Sequence, residues 1–435
     1  MRLDSPRTDR RDFLKTAGAS AAAALAGTRR GVAAAESPAP PVRVVTKGPR
    51  HHWFGYYDKL QFDPAGRFLL GMAVDFEHRT PRPDDVIEIG MVDLQDGDRW
   101  IKLGNSRAWC WQQGCMLQWL PGSTSEVMWN DRDGDRYVCR ILDVDSGASR
   151  TVPEPVYALA PDAAWGVAPD FSRIQIFRPG YGYVGVPDRF ADVGAPEETG
   201  IRRIDLKTGQ AELILTHRQI AEIPYDGQIQ KGAEPPERCS HWFNHLLVAP
   251  DGSRFVFLHR WKPKSGGRHL TRMITCKPDG SDLFILNPTG MTSHFIWRDP
   301  EHVLAFAFQE SHGNRFYLFK DKDETREVEV VGPEAMTQDG HCTYLPAHGD
   351  RWIVNDTYPD RDRLQHPFLF DVRTGVKRSL GDFPSPSVYA GEWRVDTHPR
   401  SSRDGRLVCI DSPAGDAGRQ LHLIDVSGIV DESGS

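Results

Sequence analysis

A pattern of strand, Asp/Gly-containing turn and strand recurs along residues 36–435 at irregular spacings of about forty to sixty residues. After a gap, copies of the pattern continue into a hairpin that reads Asp-hydrophobic-x-Thr/Ser-Gly, as at residues 143–147, 205–209 and 371–375. Repeats of this length are typical of propellers and related repeat folds. Seven copies occur, at residues 55–103, 116–152, 157–215, 239–286, 294–331, 341–380 and 398–426.

Each copy is long enough for a four-stranded meander, which buries both of its faces only when it stacks against neighbours around an axis. The sequence therefore predicts an all-β fold, a seven-bladed β-propeller, built as one domain by residues 36–435. The 40 glycines and 32 prolines agree with many short strands joined by turns. Residues 42–45 are expected to add a strand to the last blade and close the ring. Two Pro/Gly-rich insertions, 180–199 and 222–238, are expected over one mouth of the channel.

The first 35 residues are predicted to be a twin-arginine signal peptide. Arg10 and Arg11 precede an apolar Phe-Leu pair, an alanine-rich stretch follows at 17–26, and residues 32–35 offer a small-residue cleavage site. The mature protein is then periplasmic or secreted, with the twin-arginine export machinery as a partner. The alternative is an amphipathic N-terminal helix or a disordered tail.

Composition excludes two classes of function. A formal net charge of -7 argues against an electrostatic nucleic-acid binder. After the N-terminal segment, no apolar run reaches the roughly 18 residues of a membrane span. The seven cysteines lack a zinc-type CxxC pair and are expected to be buried as small hydrophobic residues.

Histidines recur where the innermost strands of several blades begin, and innermost strands line the central channel of a propeller. Residues more than a hundred positions apart are therefore expected to converge at the axis. Grouped imidazoles either hold a metal such as Mn, Zn, Ni or Fe, or bind an anion when protonated. A single histidine of this kind would more often be structural. The histidines in phase are His51, His52, His245, His294, His341 and His398.

The fourth copy resembles a segment of the oligogalacturonate lyase family, propeller enzymes with a manganese site. The residues that carry the resemblance are Asn244-His245, residues 249–252 (APDG), residues 257–259 (FLH), Arg272-Met273 and Asp279-Gly280. The resemblance covers nearly the whole mature chain and is better from the fourth blade onward. It implies a lyase that degrades pectin-derived acidic oligosaccharides, with His259 as the base, His294 and His398 as metal ligands, and Mn²⁺ as the cofactor.

This chain departs from the family at two ligand positions. Val395 stands where the family has a glutamine, and Arg400 stands where it has a second histidine. Two interpretations remain open: either His341 and His245 complete a different site, or the metal is changed or lost. His341 is therefore predicted as a third metal-binding histidine beside His294 and His398, with Zn²⁺ or another transition metal in place of Mn²⁺ as an alternative.

The chemistry of β-elimination can be argued from the residues. The reaction removes the proton at C5 of a uronate and expels the sugar linked at O4. The ionised carboxylate would have to become a dianionic enolate, so the site must supply positive charge. A metal supplies it, an arginine such as Arg260 or Arg272 adds fixed charge, and neutral His259 serves as the base. The alternative for Arg260 is cation–π packing at a blade edge.

Substrate binding is predicted for His52, Tyr56 and Tyr57, which lie in an unusually aromatic run, and for His245. Aromatic side chains at a channel mouth stack on sugar faces, although inter-blade packing is the plainer interpretation for Trp109 and Trp111. Rival functions remain: a propeller glycosidase, or a non-catalytic periplasmic propeller of the TolB type that binds protein or glycan and whose histidines are structural.

Overall fold

Four-stranded antiparallel sheets account for nearly all strands of the chain. The computed structural model describes residues 39–225, 227 and 238–431, and within these residues seven such sheets form the blades of a β-propeller. The predicted fold is confirmed. The predicted signal peptide lies outside the described residues, as does most of the second predicted insertion.

The strands of the first four blades follow the predicted repeats closely. After β1 (Val42–Val44), blade 1 has β2 (His51–Trp53), β3 (Phe68–Val74), β4 (Ile87–Asp93) and β5 (Arg99–Ser106). Blade 2 has β6 (Gln118–Trp119), β7 (Glu126–Asp133), β8 (Arg136–Asp143) and β9 (Ser149–Val152). Blade 3 has β10 (Ala158–Leu159), β11 (Trp165–Ala168), β12 (Gly200–Asp205) and β13 (Ala211–Thr216). Blade 4 has β14 (Cys239–Val248), β15 (Phe255–Pro263), β16 (Leu270–Cys276) and β17 (Phe284–Gly290).

The last three blades are equally regular apart from one added ribbon. Blade 5 has β18 (Thr292–Asp299), β19 (His302–Gln309), β20 (Gly313–Lys320) and β21 (Val328–Val330). Blade 6 has β22 (Thr343–Tyr344), β23 (Trp352–Asn355), β25 (Phe368–Asp371) and β26 (Val376–Ser379), and β24 (Leu364–Gln365) pairs separately with β27 (Phe383–Pro384). Blade 7 has β28 (Arg400–Ser401), β29 (Leu407–Ser412) and β30 (Gln420–Asp425).

The ring is closed by β1, which is the outermost strand of blade 7. Val42 is paired with Ile424 and Val44 with His422, so the first strand of the fold completes a blade made by the last. The predicted closing strand is confirmed. Because the two ends of the propeller share one sheet, opening the ring requires the loss of these backbone hydrogen bonds.

The described residues also form short α-helices: α1 (Phe171–Phe177), α2 (His217–Ala221) and α3 (Ser427–Asp431). Among the described residues, no helix has the length and apolar character needed to cross a membrane. All seven cysteines are buried. Trp53, Trp109 and Trp111 pack on one another with ring centroids 5.2–5.6 Å apart, which is inter-blade packing and not a sugar platform.

The insertion between β11 and β12 carries α1 and is fastened to blade 4 by Arg173. This buried guanidinium donates to the carbonyl oxygen of His241 (2.5 Å) and pairs with Asp188 (3.1 Å). It also donates to the carbonyl oxygens of Phe190, Val193 and Gly194. The insertion thereby brings Tyr181 against Tyr56 and Tyr57.

Candidate functional site

Side chains from five blades meet in one cluster, which only the propeller axis allows. The ring centroids of His294 and His341 are 4.1 Å apart, and those of His341 and His398 are 4.2 Å apart. Tyr56 lies 4.9 Å from His245 and 5.4 Å from His398. The structure therefore brings together the four in-phase histidines of blades 4 to 7, with Tyr56 and Tyr57 from blade 1.

Two of these histidines have left-handed backbone conformations, with φ of 53° at His245 and 41° at His398. His245 sits in a register shift between Asn244 and Leu247 on β14, opposite β15. Bulges of this kind redirect a side chain out of the strand alternation. Left-handed backbone at a non-glycine residue costs about 1–3 kcal/mol and is concentrated at functional sites.

A compact group of potential metal ligands is formed by His341, Asp396 and His398. One donor atom from each lies within 4.8 Å of the others, and all three residues are buried. Within the described part of the chain, Nε2 of both histidines and Oδ1 of Asp396 are buried without a hydrogen-bond partner. An unsatisfied buried polar atom costs about 1–3 kcal/mol. Imidazole nitrogens with a carboxylate oxygen suit a divalent transition metal, so the residues fit such an ion.

Two aspartates, the buried Asp356 and the partly exposed Asp339, orient these imidazoles. Asp356 accepts from Nδ1 of His341 (2.9 Å), from Oγ1 of Thr397 (2.5 Å) and from the backbone N–H of His398 (3.1 Å). Asp339 holds Nδ1 of His294 in the same way, at 2.9 Å. A carboxylate on one ring nitrogen leaves the other nitrogen for a metal and raises its basicity. Burial lowers the pKa of His341, but the Asp356 carboxylate and its hydrogen bond outweigh this, so the pKa is raised.

The compact group differs from the predicted ligand set in two ways. His294 adjoins His341 but is not one of its members, and Asp396 belongs to it although it was not predicted. The sequence held a signal for the acidic residues, because Asp339-Gly340-His341 and Asp396-Thr397-His398 both read Asp-x-His. Of the two residues expected to replace the missing family ligands, His341 joins the group and His245 does not.

Arg400, which stands where the family has a histidine, stabilises the site through hydrogen bonds. Its buried guanidinium donates to Asp411 (2.7 Å), to Gln61 (2.9 Å) and to the carbonyl oxygen of His398. Asp411 also accepts from the backbone N–H of Gly55 at 3.2 Å. Arg400 therefore ties the loop of His398 to the start of blade 1.

Arg400→Ala is expected to lower the free energy of unfolding by about 3–5 kcal/mol, because it would leave the buried Asp411 charge without a cationic partner. Urea denaturation measures this change. The control is Arg43→Ala, which removes a solvent-exposed pair with Asp98 and should cost no more than about 1 kcal/mol. Equal losses in the two variants would contradict the role given to Arg400.

A chain of hydrogen bonds sets the tautomer of His245. The Tyr57 hydroxyl donates to the carbonyl oxygen of Phe295 (2.8 Å), so toward Nε2 of His245, 3.2 Å away, it can only accept. Nε2 therefore carries the proton, and Nδ1 presents its lone pair to the Tyr56 hydroxyl at 3.4 Å. Burial, and then the nearby His294, hold the pKa of His245 well below its usual value, which keeps the ring neutral.

Arg260 provides a positive charge close to the cluster. Among the residues that the structure describes, no hydrogen bond or ion pair is formed by its guanidinium, and its Nε is buried. Burial, and then the charge of Arg178, lower the pKa of Arg260 to about 10, while Tyr56 and Tyr181 act in the opposite direction. Arg394 bridges Asp396 (2.8 Å) and the Tyr181 hydroxyl (2.6 Å) on the other side.

His259 and Arg272 do not join the axial cluster. Nδ1 of His259 accepts from Arg272 at 3.2 Å, and its Nε2 lies 2.9 Å from Nδ1 of His241. Arg272 also donates to the carbonyl oxygens of Ile220 (3.0 Å) and Ile223 (3.0 Å). Successive residues of a strand face opposite sides, so His259 points away from the side that Arg260 faces. Burial, and then Arg272, lower the pKa of His259 well below its usual value.

His52 lies between blades 1 and 7 and not in the axial cluster. Its Nδ1 is 3.0 Å from Oε1 of Gln420, and its ring packs edge-on against Trp100 at 5.0 Å. Burial lowers its pKa to about 4. The expectation that His52 lines the channel is wrong, because the alternation of β2 turns it toward the neighbouring blade.

A cleft of about 210 Å³ opens beside the metal-binding group. Asp396, Arg394 and Val395 form one side of it, and Tyr389 and Arg363 lie among the other lining residues. Asp396 is thus the member of the metal-binding group that borders the cleft.

Solved structures similar to this chain include two oligogalacturonate lyases. The manganese complex of one gives a TM-score of 0.63 at 15% identity and covers 90% of this chain and 94% of that chain. The Vibrio parahaemolyticus enzyme gives 0.59 at 13% identity, with 89% and 94% covered. TolB from Acinetobacter baumannii gives 0.39 at 15% identity, with 83% and 80% covered. No protein-family model and no curated protein matches the sequence. At these identities the likeness to the lyases establishes the propeller fold.

Proposed function

We propose that this protein is a metal-dependent lyase that cleaves uronate-containing oligosaccharides by β-elimination, with Mn²⁺ as the metal. The observation that carries the proposal is the pairing of a metal-binding group, His341, Asp396 and His398, with a buried arginine that has no anionic partner among the described residues. The resemblance of the sequence to oligogalacturonate lyases supports the same assignment. So does the printed description of one similar structure as a manganese complex.

The substrate carboxylate is the group that the site must neutralise. His341, His398 and Asp396 would hold the metal, which would supply Lewis-acid stabilisation of the carboxylate. Arg260 contributes a fixed charge from a buried position, where a charge interacts more strongly than in water. Together these charges lower the cost of forming the enolate when the C5 proton leaves.

Proton abstraction is assigned to Tyr56 together with His245. The phenolic oxygen of Tyr56 takes the C5 proton while its own proton passes to Nδ1 of His245, 3.4 Å away. The Asp58 carboxylate, which pairs with Lys59 (3.2 Å), lies 3.8 Å from Nε2 and stabilises the imidazolium. His259, the base implied by the family resemblance, is the alternative to Tyr56 as the base. To accept a proton at Nδ1, it must first lose the hydrogen bond that Arg272 donates.

The test of the proposed function is an elimination assay on a panel of uronate oligomers, with metal-loaded protein and with chelator-treated protein. Elimination creates a C4–C5 double bond that absorbs in the ultraviolet. We expect metal-dependent product from at least one polyuronate. Protein that binds no metal and forms no product on any of them would leave the non-catalytic propeller as the function.

Asp356→Asn is expected to weaken metal binding by about 10–100-fold, because the amide removes the charge that orients His341. The dissociation constant, measured by competition with a chromophoric chelator, tests this. Asp299→Asn is the control. Asp299 is the last residue of β18, at the end away from His294, and it pairs with His302, so its loss should leave metal affinity unchanged. An unchanged affinity in Asp356→Asn would contradict the orienting role.

We further propose export by the twin-arginine route to the periplasm or medium, on the basis of residues 1–35. Replacing Arg10 and Arg11 by lysine is expected to retain the precursor in the cytoplasm, which cell fractionation and immunoblotting measure. Export at the wild-type level in that variant would reject this route.

A further inference from the structure

Two arginines beside the channel, the buried Arg260 and the half-buried Arg178, differ from the fully buried arginines Arg173, Arg272 and Arg400. Arg173, Arg272 and Arg400 are each satisfied by several hydrogen bonds. Arg178 and Arg260, by contrast, form no side-chain hydrogen bond or ion pair within the described residues, and Nε of each is buried. A buried guanidinium nitrogen without an acceptor is unfavourable unless a ligand completes it. These two arginines therefore point to an anionic ligand.

The surroundings of the pair add positive charge. The charges of Lys262 and Arg268, like those of Arg178 and Arg260, act on His269. Burial, and then Arg260 and Arg178, lower the pKa of His269 to about 2, so this imidazole stays neutral and can donate a hydrogen bond. In the described parts of the chain, no carboxylate pairs with any of these side chains, although the chain as a whole carries a net charge of -7. Unbalanced charge of one sign in a recess favours a ligand of the other sign.

Aromatic rings lie beside these cations. Phe177 stacks with Trp242 at 5.7 Å, and Trp242 packs edge-on against His269 at 5.8 Å. The guanidinium of Arg178 lies 4.9 Å from the ring centre of Tyr181. Flat apolar faces beside cations match a sugar ring that bears a carboxylate. Trp242 and Tyr181 also pack with Tyr56 and Tyr57, so the pocket continues into the axial cluster.

We propose that Arg178, with Arg260, Lys262 and His269, forms a second anion-binding pocket that takes the carboxylate of the uronate next to the one that reacts. The inference rests on the proposed lyase function for the identity of the ligand. Arg260 is paired with Trp242 across β14 and β15, and Trp242 packs in one cluster with Tyr56 and Tyr181, so Arg260 is close to both positions. Arg178 is only half-buried, so the pocket is accessible from the outer side.

The test is calorimetric binding of tetragalacturonate, and of its methyl ester, to chelator-treated protein. Arg178→Gln is expected to weaken binding of the acid by about tenfold or more, the loss of a charge-assisted hydrogen bond of about 1.5–3 kcal/mol. Binding of the neutral ester should not change. Arg178→Lys should recover most of the affinity. Exposed Arg189, on the same insertion, supplies the control Arg189→Gln, which should bind like the wild type.

The outcomes separate this inference from the lyase proposal. Loss of acid binding in Arg178→Gln, from a protein that eliminates none of the uronates, would keep the pocket and reject the lyase. Elimination activity with wild-type binding of the acid in Arg178→Gln would keep the lyase and overturn the pocket. An equal loss for the acid and the ester would also overturn it, because the carboxylate would then not be the group recognised.

Discussion

His398→Ala is expected to lose the bound metal and to lower kcat/KM by about 10³-fold, since a Lewis-acid metal supplies several kcal/mol of stabilisation. Nε2 of His398 is one of three buried donor atoms that have no other partner among the described residues, and its loss leaves the group with two donors. Elemental analysis of the purified protein measures the metal, and the elimination assay measures turnover. Asp396→Ala should give the same result.

His302→Ala is the matched control for metal loss, because His302 pairs with Asp299 away from the axis. It should keep about one equivalent of metal. His294→Ala asks whether a further histidine, outside the compact group, also contributes to binding. Full metal occupancy in both His398→Ala and Asp396→Ala would mean that the metal-binding group is wrong.

Tyr56→Phe is expected to lower kcat by about 10²–10⁴-fold, the range for losing a positioned acid or base, while the metal content stays unchanged. The phenylalanine keeps the ring packing against His398 and His245 and removes only the hydroxyl. Single-turnover kinetics on metal-loaded protein measure the chemical step. His245→Gln should fall in the same range, because it removes the acceptor for the Tyr56 proton.

His259→Gln decides between the two candidate bases. With the base assigned to Tyr56, the loss of His259 acts only through packing and should cost less than tenfold in kcat. If His259→Gln instead loses 10²-fold or more with intact fold and metal while Tyr56→Phe turns over normally, His259 is the base. Circular dichroism and metal analysis on each variant confirm that the comparison concerns chemistry.

Much of the fold was predictable because its signals are local. The Asp/Gly turns and the alternation within each repeat depend on residues close together in the chain, and each blade begins and ends near its predicted position. The closing strand was predictable too, since the seventh repeat lacks a fourth strand of its own and β1 supplies it. Exact pairing, such as Asn244 with Leu258, needed the structure.

The candidate site was predictable in part. The recurrence of histidine at the start of innermost strands indicated that His245, His294, His341 and His398 converge, and they do. The acidic residues of the site, among them Asp396, and the arginine Arg178 were not predicted. Asp396 lies in a motif that was read for its histidine alone, and Arg178 lies in an insertion that carries no repeat pattern.

The sequence by itself determined the number of blades, the closure of the ring and that the histidines of blades 4 to 7 reach the axis, because these follow from periodicity and from phase within a repeat. Only the tertiary structure decided what each side chain does there. A bulge turns His245 toward Tyr56, and strand alternation sends His259 and His52 away from the axis. The Asp356 carboxylate holds Nδ1 of His341 and leaves its Nε2 without a partner among the described residues. The physical reason is that the hydrogen-bond partners of a buried polar group come from segments far apart in the chain, such as Asp356 for His398 or Tyr57 for His245.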